Sequence, residues 1–334
     1  MADVLTLGEI LVDWVSTTTG AELDSAEVFT KAPGGAPANV AVGLARQGVS
    51  TGFIGRVSRD AFGEWLRDLL KQENIDTSST IMDPNANTRM AYVVTMKSGD
   101  RKLAEFSRVA CADAQLQESD LQESQFKAAS MLHFGSISLI ADPCKSATTK
   151  ANELAKKHGL LISYDPNVRL ALWPSPEACR QAIVDTLKWA DIVKINLDEL
   201  DFLTGSRDES AIEKLRRDHN IPLLIITLDA QGSKFVTAKG SRTIPGFKIN
   251  FVEATGAGDG FVSGVLAGLL PHVKNAGNRR EALLALSLDQ LTDIFRRANA
   301  VGALACTRAG AIPALPRMAE IDAFLQNLSL PASS

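Results

Sequence analysis

The chain has 334 residues, 45% of them hydrophobic, and 35 basic against 39 acidic side chains leave a formal charge of −4. This composition excludes intrinsic disorder, collagen-like repeats and small disulfide scaffolds. The weak negative charge offers no general attraction to phosphate backbones or anionic lipid, so neither nucleic acid nor a membrane is an expected partner.

Taken in chain order, the N-terminus carries Asp3, Glu9 and Asp13 without a basic leader region, and no apolar run approaches a membrane span, so a cytoplasmic protein is expected. Short apolar runs at 4–12, 51–57, 160–164, 191–195, 223–228 and 249–252 read as strands. Helical patterns lie between them, such as Phe62, Trp65, Leu66, Leu69 and Leu70 behind an Asp60 cap. The alternation predicts an α/β fold with a mostly parallel central sheet and helices on both faces. One continuous domain over 1–330 is expected, followed by a short tail at 331–334.

Two stretches break this rhythm. Segments 14–31 and 88–108 alternate polar and apolar residues around Thr19-Gly20 and Ser98-Gly99-Asp100. They read either as a small second sheet or as surface loops. Cys111, Cys144, Cys179 and Cys306 form no C-x-x-C pair, and His133, His158, His219 and His272 lack ligand spacing, so all eight read as structural.

In an open parallel sheet, ligands bind beyond the carboxyl ends of the strands, which makes the residues after each apolar run the first candidates. Asp13 follows the first run, Asp165-Pro166-Asn167-Val168-Arg169 the run at 160–164, and Asn196-Leu197-Asp198-Glu199 the run at 191–195. Asp229-Ala230-Gln231-Gly232 follows the run at 223–228, and Glu253-Ala254-Thr255-Gly256-Ala257-Gly258-Asp259 the run at 249–252.

The last of these precedes an apolar helical stretch at 261–270. Its small residues let backbone N–H groups converge and the helix N-terminus adds positive potential, which together make an anion site. Asp259, ionised there, could take the proton of a hydroxyl during phosphoryl transfer; the alternative is a tight turn with a helix-favouring acid. Pro33-Gly34-Gly35-Ala36-Pro37-Ala38-Asn39 opens a second helix, 39–47, that stops at Gly48. Its glycines permit close approach of a ligand and Asn39 offers a donor and an acceptor to sugar hydroxyls, against the alternative of a plain glycine turn. Asn196 and Glu199 have the spacing of a capping box, or else Glu199 holds Mg²⁺ through water. Arg169 is a fixed cation able to face phosphate. No G-x-x-x-x-G-K-[ST] occurs and no G-x-G-x-x-G follows the first strand, which argues against a P-loop ATPase and a hydride-transfer enzyme.

Gly34-Gly35 with Asn39, followed far downstream by Ala254-Thr255-Gly256-Ala257-Gly258-Asp259, resembles the two signatures of the ribokinase-like (PfkB) carbohydrate kinases, and the similarity runs along nearly the whole chain. Gly8-Glu9 to Asp13, Ser163-Tyr164-Asp165-Pro166-Asn167-Val168-Arg169, Leu172-Trp173-Pro174-Ser175 and Gly310-Ala311-Ile312-Pro313-Ala314-Leu315-Pro316 add to it, the last three being most similar to fructokinases. The resemblance implies a ribokinase-like three-layer domain with 14–31 and 88–108 as a small β lid, ATP as phosphoryl donor and Mg²⁺ as its partner. It implies Asp259 as catalytic base and the N–H groups of Gly256, Ala257 and Gly258 as the anion hole. Asp13, Gly34, Gly35, Asn39 and Arg108 would hold the sugar. Arg169, Asn196, Thr227, Gly232, Gly256, Gly258, Asn299 and Gly302 would line the nucleotide, with Glu199 acting through Mg²⁺-bound water.

In several relatives the region of Glu253, Thr255, Ala305 and Gly310 contributes to a monovalent-cation site, so K⁺ is a further ligand the resemblance brings in. Here Glu253 stands where members usually have Asp, and the extra methylene moves the carboxylate by about one carbon–carbon bond, enough to disturb direct ligation. The run from Glu105 to Asp113 also lacks the aromatic residue and the Asn-Pro that many fructokinases carry around the Arg. The expected acceptor is D-fructose. 2-Keto-3-deoxygluconate and a nucleoside such as aminoimidazole riboside are the alternatives, and the intact signatures argue against a non-catalytic relative. Homodimers through the lid occur among related kinases and are an expected assembly.

Overall fold

Most of the apolar runs pair side by side within a nine-stranded sheet, and the two stretches that broke the rhythm lie in a separate sheet of four. The computed structural model describes residues 1–97, 101–107 and 110–327. The chain begins with β1 (Val4–Leu7), β2 (Leu11–Thr19), β3 (Phe29–Gly34), α1 (Ala36–Arg46), β4 (Thr51–Ser58), α2 (Ala61–Gln72), β5 (Thr80–Asp83), β6 (Met90–Thr95) and β7 (Arg101–Phe106). There follow α3 (Glu123–Ala128), β8 (Met131–Gly135), α4 (Cys144–Lys157), β9 (Leu161–Asp165), α5 (Pro176–Leu187), β10 (Ile192–Asn196), α6 (Leu197–Thr204) and α7 (Glu209–Asp218). The last elements are β11 (Leu223–Thr227), β12 (Gly232–Thr237), β13 (Gly240–Pro245), α8 (Ala257–Val273), α9 (Arg279–Ala285), α10 (Leu288–Ala305) and α11 (Met318–Asn327).

The large sheet has the order β13-β12-β11-β10-β9-β8-β1-β4-β5. It is parallel from β11 to β5, and the β12–β13 hairpin closes one edge antiparallel. Alternate side chains of each strand point to opposite faces. Leu5, Leu132, Ile162, Val193 and Leu224 pack in the layer of α4, α5, α6 and α7, whereas Val4, Met131, Leu161, Ile192 and Leu223 pack in the layer of α1, α8 and α10. The result is three layers, helix on sheet on helix. α2 starts where Asp60 accepts the Phe62 and Gly63 N–H groups at 3.0 and 2.8 Å, a cap worth about 1 kcal/mol.

The small sheet has the order β3-β2-β6-β7. β2 pairs antiparallel with β3 and parallel with β6, and β6 pairs antiparallel with β7.

Two strand expectations need correction. The run at 4–12 is two strands in two sheets: after Leu7 the chain turns at Gly8, whose φ of 147° suits glycine, and resumes as β2. Asp13 therefore lies within the small sheet rather than at the carboxyl end of β1. The run at 249–252 is a loop. Phe251 and Val252 are 60% and 53% exposed, and the segment is fastened by the Val252 and Glu253 N–H groups, which both donate to the Cys306 carbonyl. The central strand β8 had no place among the expected runs, because His133 interrupts its apolar character. That imidazole is buried, lies 3.0 Å from the Ser163 hydroxyl, and is held down to a pKa of about 3 by burial.

Candidate active site

The small sheet roofs a cleft of about 430 Å³ whose floor is the carboxyl edge of the large sheet. From the roof come Leu11, Asp13, Ala91, Val93, Arg101, Leu103 and Phe106; from the floor come Glu9, Asn167, Arg169 and Lys194. The starts of two helices close it. Gly35 and Asn39 at α1 face Gly256, Gly258 and Asp259 at α8, with the loop 251–255 beside them.

The two glycine segments meet directly. Asn39 Nδ2 donates to Asp259 Oδ2 at 2.7 Å, and both side chains are buried. Burial raises the Asp259 carboxyl to about 6, opposed by the Asn39 hydrogen bond and by Lys194 and Arg169, with Asp165 adding to the rise. Asn39 Oδ1 is buried without a protein partner, an acceptor available to a ligand hydroxyl. Asp13 is likewise raised to about 6 by burial, against the pull of Arg101 and Arg169. Gly34 makes room for it: a methyl group on Gly34 would stand 2.3 Å from Asp13 Oδ2. Gly35 has φ 105°, and a methyl there would come within 2.4 Å of the Glu9 carbonyl.

α8 begins at Gly256, in the left-handed conformation at φ 78° and packed so closely on Ala311 that a methyl would approach its Cα to 2.9 Å. The Ala257 N–H donates to the Ala254 carbonyl at 3.1 Å, so it closes the turn. That corrects the expectation that Gly256, Ala257 and Gly258 all aim N–H groups at an anion: Ala257 is engaged by the turn itself.

Lys194 was missed. It sits in β10, read from the sequence as simply apolar, yet it is buried, lines the cleft, and pairs with Asp165 at 3.1 Å. Its Nζ would be 3.5 Å from a methyl on Gly258, which places an ammonium beside the α8 turn. Burial opposes its charge, but Asp165, Glu199 and Asp259 outweigh burial and raise its pKa. The available signal was a lysine inside a buried strand, a position lysine takes only when paired.

Asn196, Glu199, Thr227, Gly232, Asn299 and Gly302 lie outside the cleft lining. Asn196 and Thr227 are paired neighbours at the ends of β10 and β11, and Gly232 starts β12, so they extend a row along the strand ends away from Asp165. Asn196 caps α6, accepting from the Glu199 N–H at 2.7 Å. Glu199 accepts from the Val168 N–H at 2.8 Å on one oxygen and from the Asn196 N–H at 2.9 Å on the other. It pins the 166–169 loop as well as completing the box, and burial raises its pKa.

Asn299 is engaged within the protein. Its Oδ1 accepts from the Ser233 hydroxyl, and its Nδ2 donates to the carbonyls of Ile244 and Pro245, so it fastens α10 to the β12–β13 hairpin. Gly302 lets α10 lie against α8, since a methyl there would be 3.2 Å from the Ala257 carbonyl. Arg108 lies outside the described residues.

No group of three or more His, Cys, Asp or Glu among the described residues could by itself hold a metal ion. Glu199 retains lone pairs beyond its two backbone donors, which fits a divalent ion held mainly by nucleotide oxygens and water. Glu253 fits a cation poorly. One oxygen accepts the Gly310 N–H at 3.1 Å, and the other lies 2.7 Å from Arg101 Nη1, a charge contact without hydrogen-bond alignment. The carboxylate expected in a monovalent-cation site with Thr255, Ala305 and Gly310 thus faces a guanidinium.

A family model described as pfkB family carbohydrate kinase matches residues 1–318. The chain is 42% identical over 331 residues to "Probable fructokinase-7" of Arabidopsis thaliana, covering 97% of this chain and 92% of that protein. Among solved structures, the fructokinase of Xylella fastidiosa with bound ATP aligns at a TM-score of 0.89 and 29% identity, over 99% of this chain and 100% of that one. A fructokinase double mutant of Vibrio cholerae, bound to fructose, ADP and potassium ion, aligns at a TM-score of 0.81 and 33% identity, over 97% and 98%.

Proposed function

The chain belongs to the pfkB family of carbohydrate kinases, and we propose that it is an ATP-dependent fructokinase, converting D-fructose and ATP to D-fructose 6-phosphate and ADP. The observation that carries this reading is the hydrogen bond from Asn39 to Asp259, which brings both signature segments to the floor of one roofed cleft. A cleft of this volume takes a monosaccharide.

Asp13 and Asn39 offer acceptors to the sugar hydroxyls, and Gly34 and Gly35 leave the space in which those side chains stand. Asp259 accepts the proton of the terminal hydroxymethyl group as its oxygen attacks the γ-phosphorus in line. The start of α8, Lys194 and Arg169 supply positive potential where charge accumulates on the transferring group. The nucleotide lies along the row from Asp165 past Asn196 and Thr227 to Gly232. Glu199 holds the 166–169 loop; a bound Mg²⁺ would neutralise charge on the triphosphate, and Glu199 would be the carboxylate available to it through water. The small sheet excludes water, the competing nucleophile.

An ADP-release assay across acceptors tests the reading. D-Fructose should exceed ribose, 2-keto-3-deoxygluconate and aminoimidazole riboside in kcat/KM. Equal or better turnover of any of these would overturn the assignment of fructose.

A further inference from the structure

One ion pair ties the roof of the cleft to its wall. Arg101, the first residue of β7, places Nη1 2.7 Å from Glu253 Oε1, with the two side chains 22% and 7% exposed. Among the described residues it is the sole ion pair that joins a strand of the small sheet to another part of the chain.

The two edges of that sheet are held differently. On the β3 side, Lys31 Nζ lies 4.0 Å from the Trp65 ring centroid and Trp14 meets Phe62 edge-on at 5.8 Å, which anchors the sheet on α2. On the β7 side the apolar contact is small, Leu103 and Phe106 with Leu172. The far end of that edge is held at Ser107, whose carbonyl accepts from Arg89, itself paired with Asp113 at 2.7 Å; Arg101 is the polar attachment of its other end, the end free to swing if the cleft opens.

Its partner is placed to transmit that position. The Glu253 N–H donates to the Cys306 carbonyl and its carboxylate accepts from Gly310, which ties Glu253 to the segment after α10, three residues before the Gly256 turn that opens α8. An unpaired Glu253 at that point would set a buried negative charge beside the site proposed for phosphate.

We propose that Arg101 is a positioning residue: its pair with Glu253 latches the β7 edge of the small sheet over the cleft and cancels a carboxylate next to the anion-binding turn. This rests on the kinase reading for its kinetic consequences, though not for its mechanical one.

The test uses the full chain with Arg101→Gln and Glu253→Gln, singly and together, and Arg101→Lys as the conservative variant. Each single change should raise the fructose KM about tenfold with a smaller fall in kcat, as expected for a group that orders the closed state without touching the reacting atoms. The double variant should be no worse than the poorer single one, because both remove the same interaction. Arg101→Lys should recover part of the loss. Without any ligand, amide hydrogen exchange should quicken in 90–95 and 101–106 of Arg101→Gln while α2 stays protected. Arg101→Gln lies on a partly exposed strand end and should fold even if Glu253→Gln does not. Wild-type KM in Arg101→Gln, multiplicative effects in the double variant, or unchanged exchange would each overturn the latch. The exchange measurement decides it even if the protein turned over no sugar at all.

Discussion

Asn39 and Asp259, 220 positions apart, meet through a 2.7 Å hydrogen bond in which the amide donates to the carboxylate. The bond orients Asp259, and it tempers an acidity set chiefly by burial. An amide donor stabilises the ionised form, while burial and Asp165 destabilise it, and the balance leaves the carboxyl at about 6 rather than at the 3.8 of an ordinary aspartate. A base of that strength is ionised at neutral pH yet less stabilised than a solvent-exposed carboxylate, which suits it to accept a proton in the transition state.

The first prediction concerns pH. Protonation removes the base, so kcat/KM should be present above about 6 and fall as pH drops through that value. Asn39→Ala deletes a contribution that lowers the pKa, and its acid limb should move upward by roughly one pH unit. Asp259→Asn should lose about 10²- to 10⁴-fold in kcat with the fold intact. An acid limb that stayed in place in Asn39→Ala would restrict Asn39 to sugar binding.

A second prediction isolates shape. Gly34→Ala forces a methyl to within 2.3 Å of Asp13 Oδ2, so the carboxylate must leave its position. The fructose KM should rise by about tenfold or more while the ATP KM changes little, since a displacement on the order of 1 Å suffices for such losses. Gly277→Ala, with nothing within 4 Å of the new methyl, is the control and should stay within about 0.5 kcal/mol of the parent in urea unfolding. Equal effects of the two changes on fructose KM would remove the argument.

The third concerns Lys194. Lys194→Met leaves Asp165 buried and unpaired, which should cost about 3 to 5 kcal/mol of stability and, by removing the cation beside the α8 turn, about 100-fold in kcat. Adding Asp165→Asn should restore much of the stability, measured by urea unfolding, and none of the rate. Recovery of both would reduce Lys194 to a structural partner.

Much of this site was legible in the linear chain because its chemistry is local. Gly34-Gly35 and Gly256 to Asp259 announce themselves through small residues next to helix starts, and the cleft gathers Asp13, Gly35, Asn39, Arg169, Glu253, Thr255, Gly256, Gly258 and Asp259. Lys194 was hidden because periodicity weighs a residue by its polarity, and one lysine within Ile192–Asn196 barely changes a buried pattern. Asn299 shows the opposite case. An inward-facing amide on α10 can serve a ligand or a neighbouring hairpin, and only the positions of Ser233, Ile244 and Pro245 distinguish the two. The run at 249–252 was apolar without being core, since Phe251 and Val252 are exposed where they line the cleft.

The sequence by itself determined the layered α/β architecture, the signature segments and the family resemblance, because strand and helix periods, glycine turns and caps are written in neighbouring residues. Tertiary structure decided which of those residues meet. The division of residues 4–12 between two sheets, the union of Asn39 with Asp259, and the Arg101–Glu253 contact across the cleft all depend on chain crossings spanning tens to hundreds of positions. At that separation, spacing along the chain carries no information about distance, and the packing of the whole sheet fixes it.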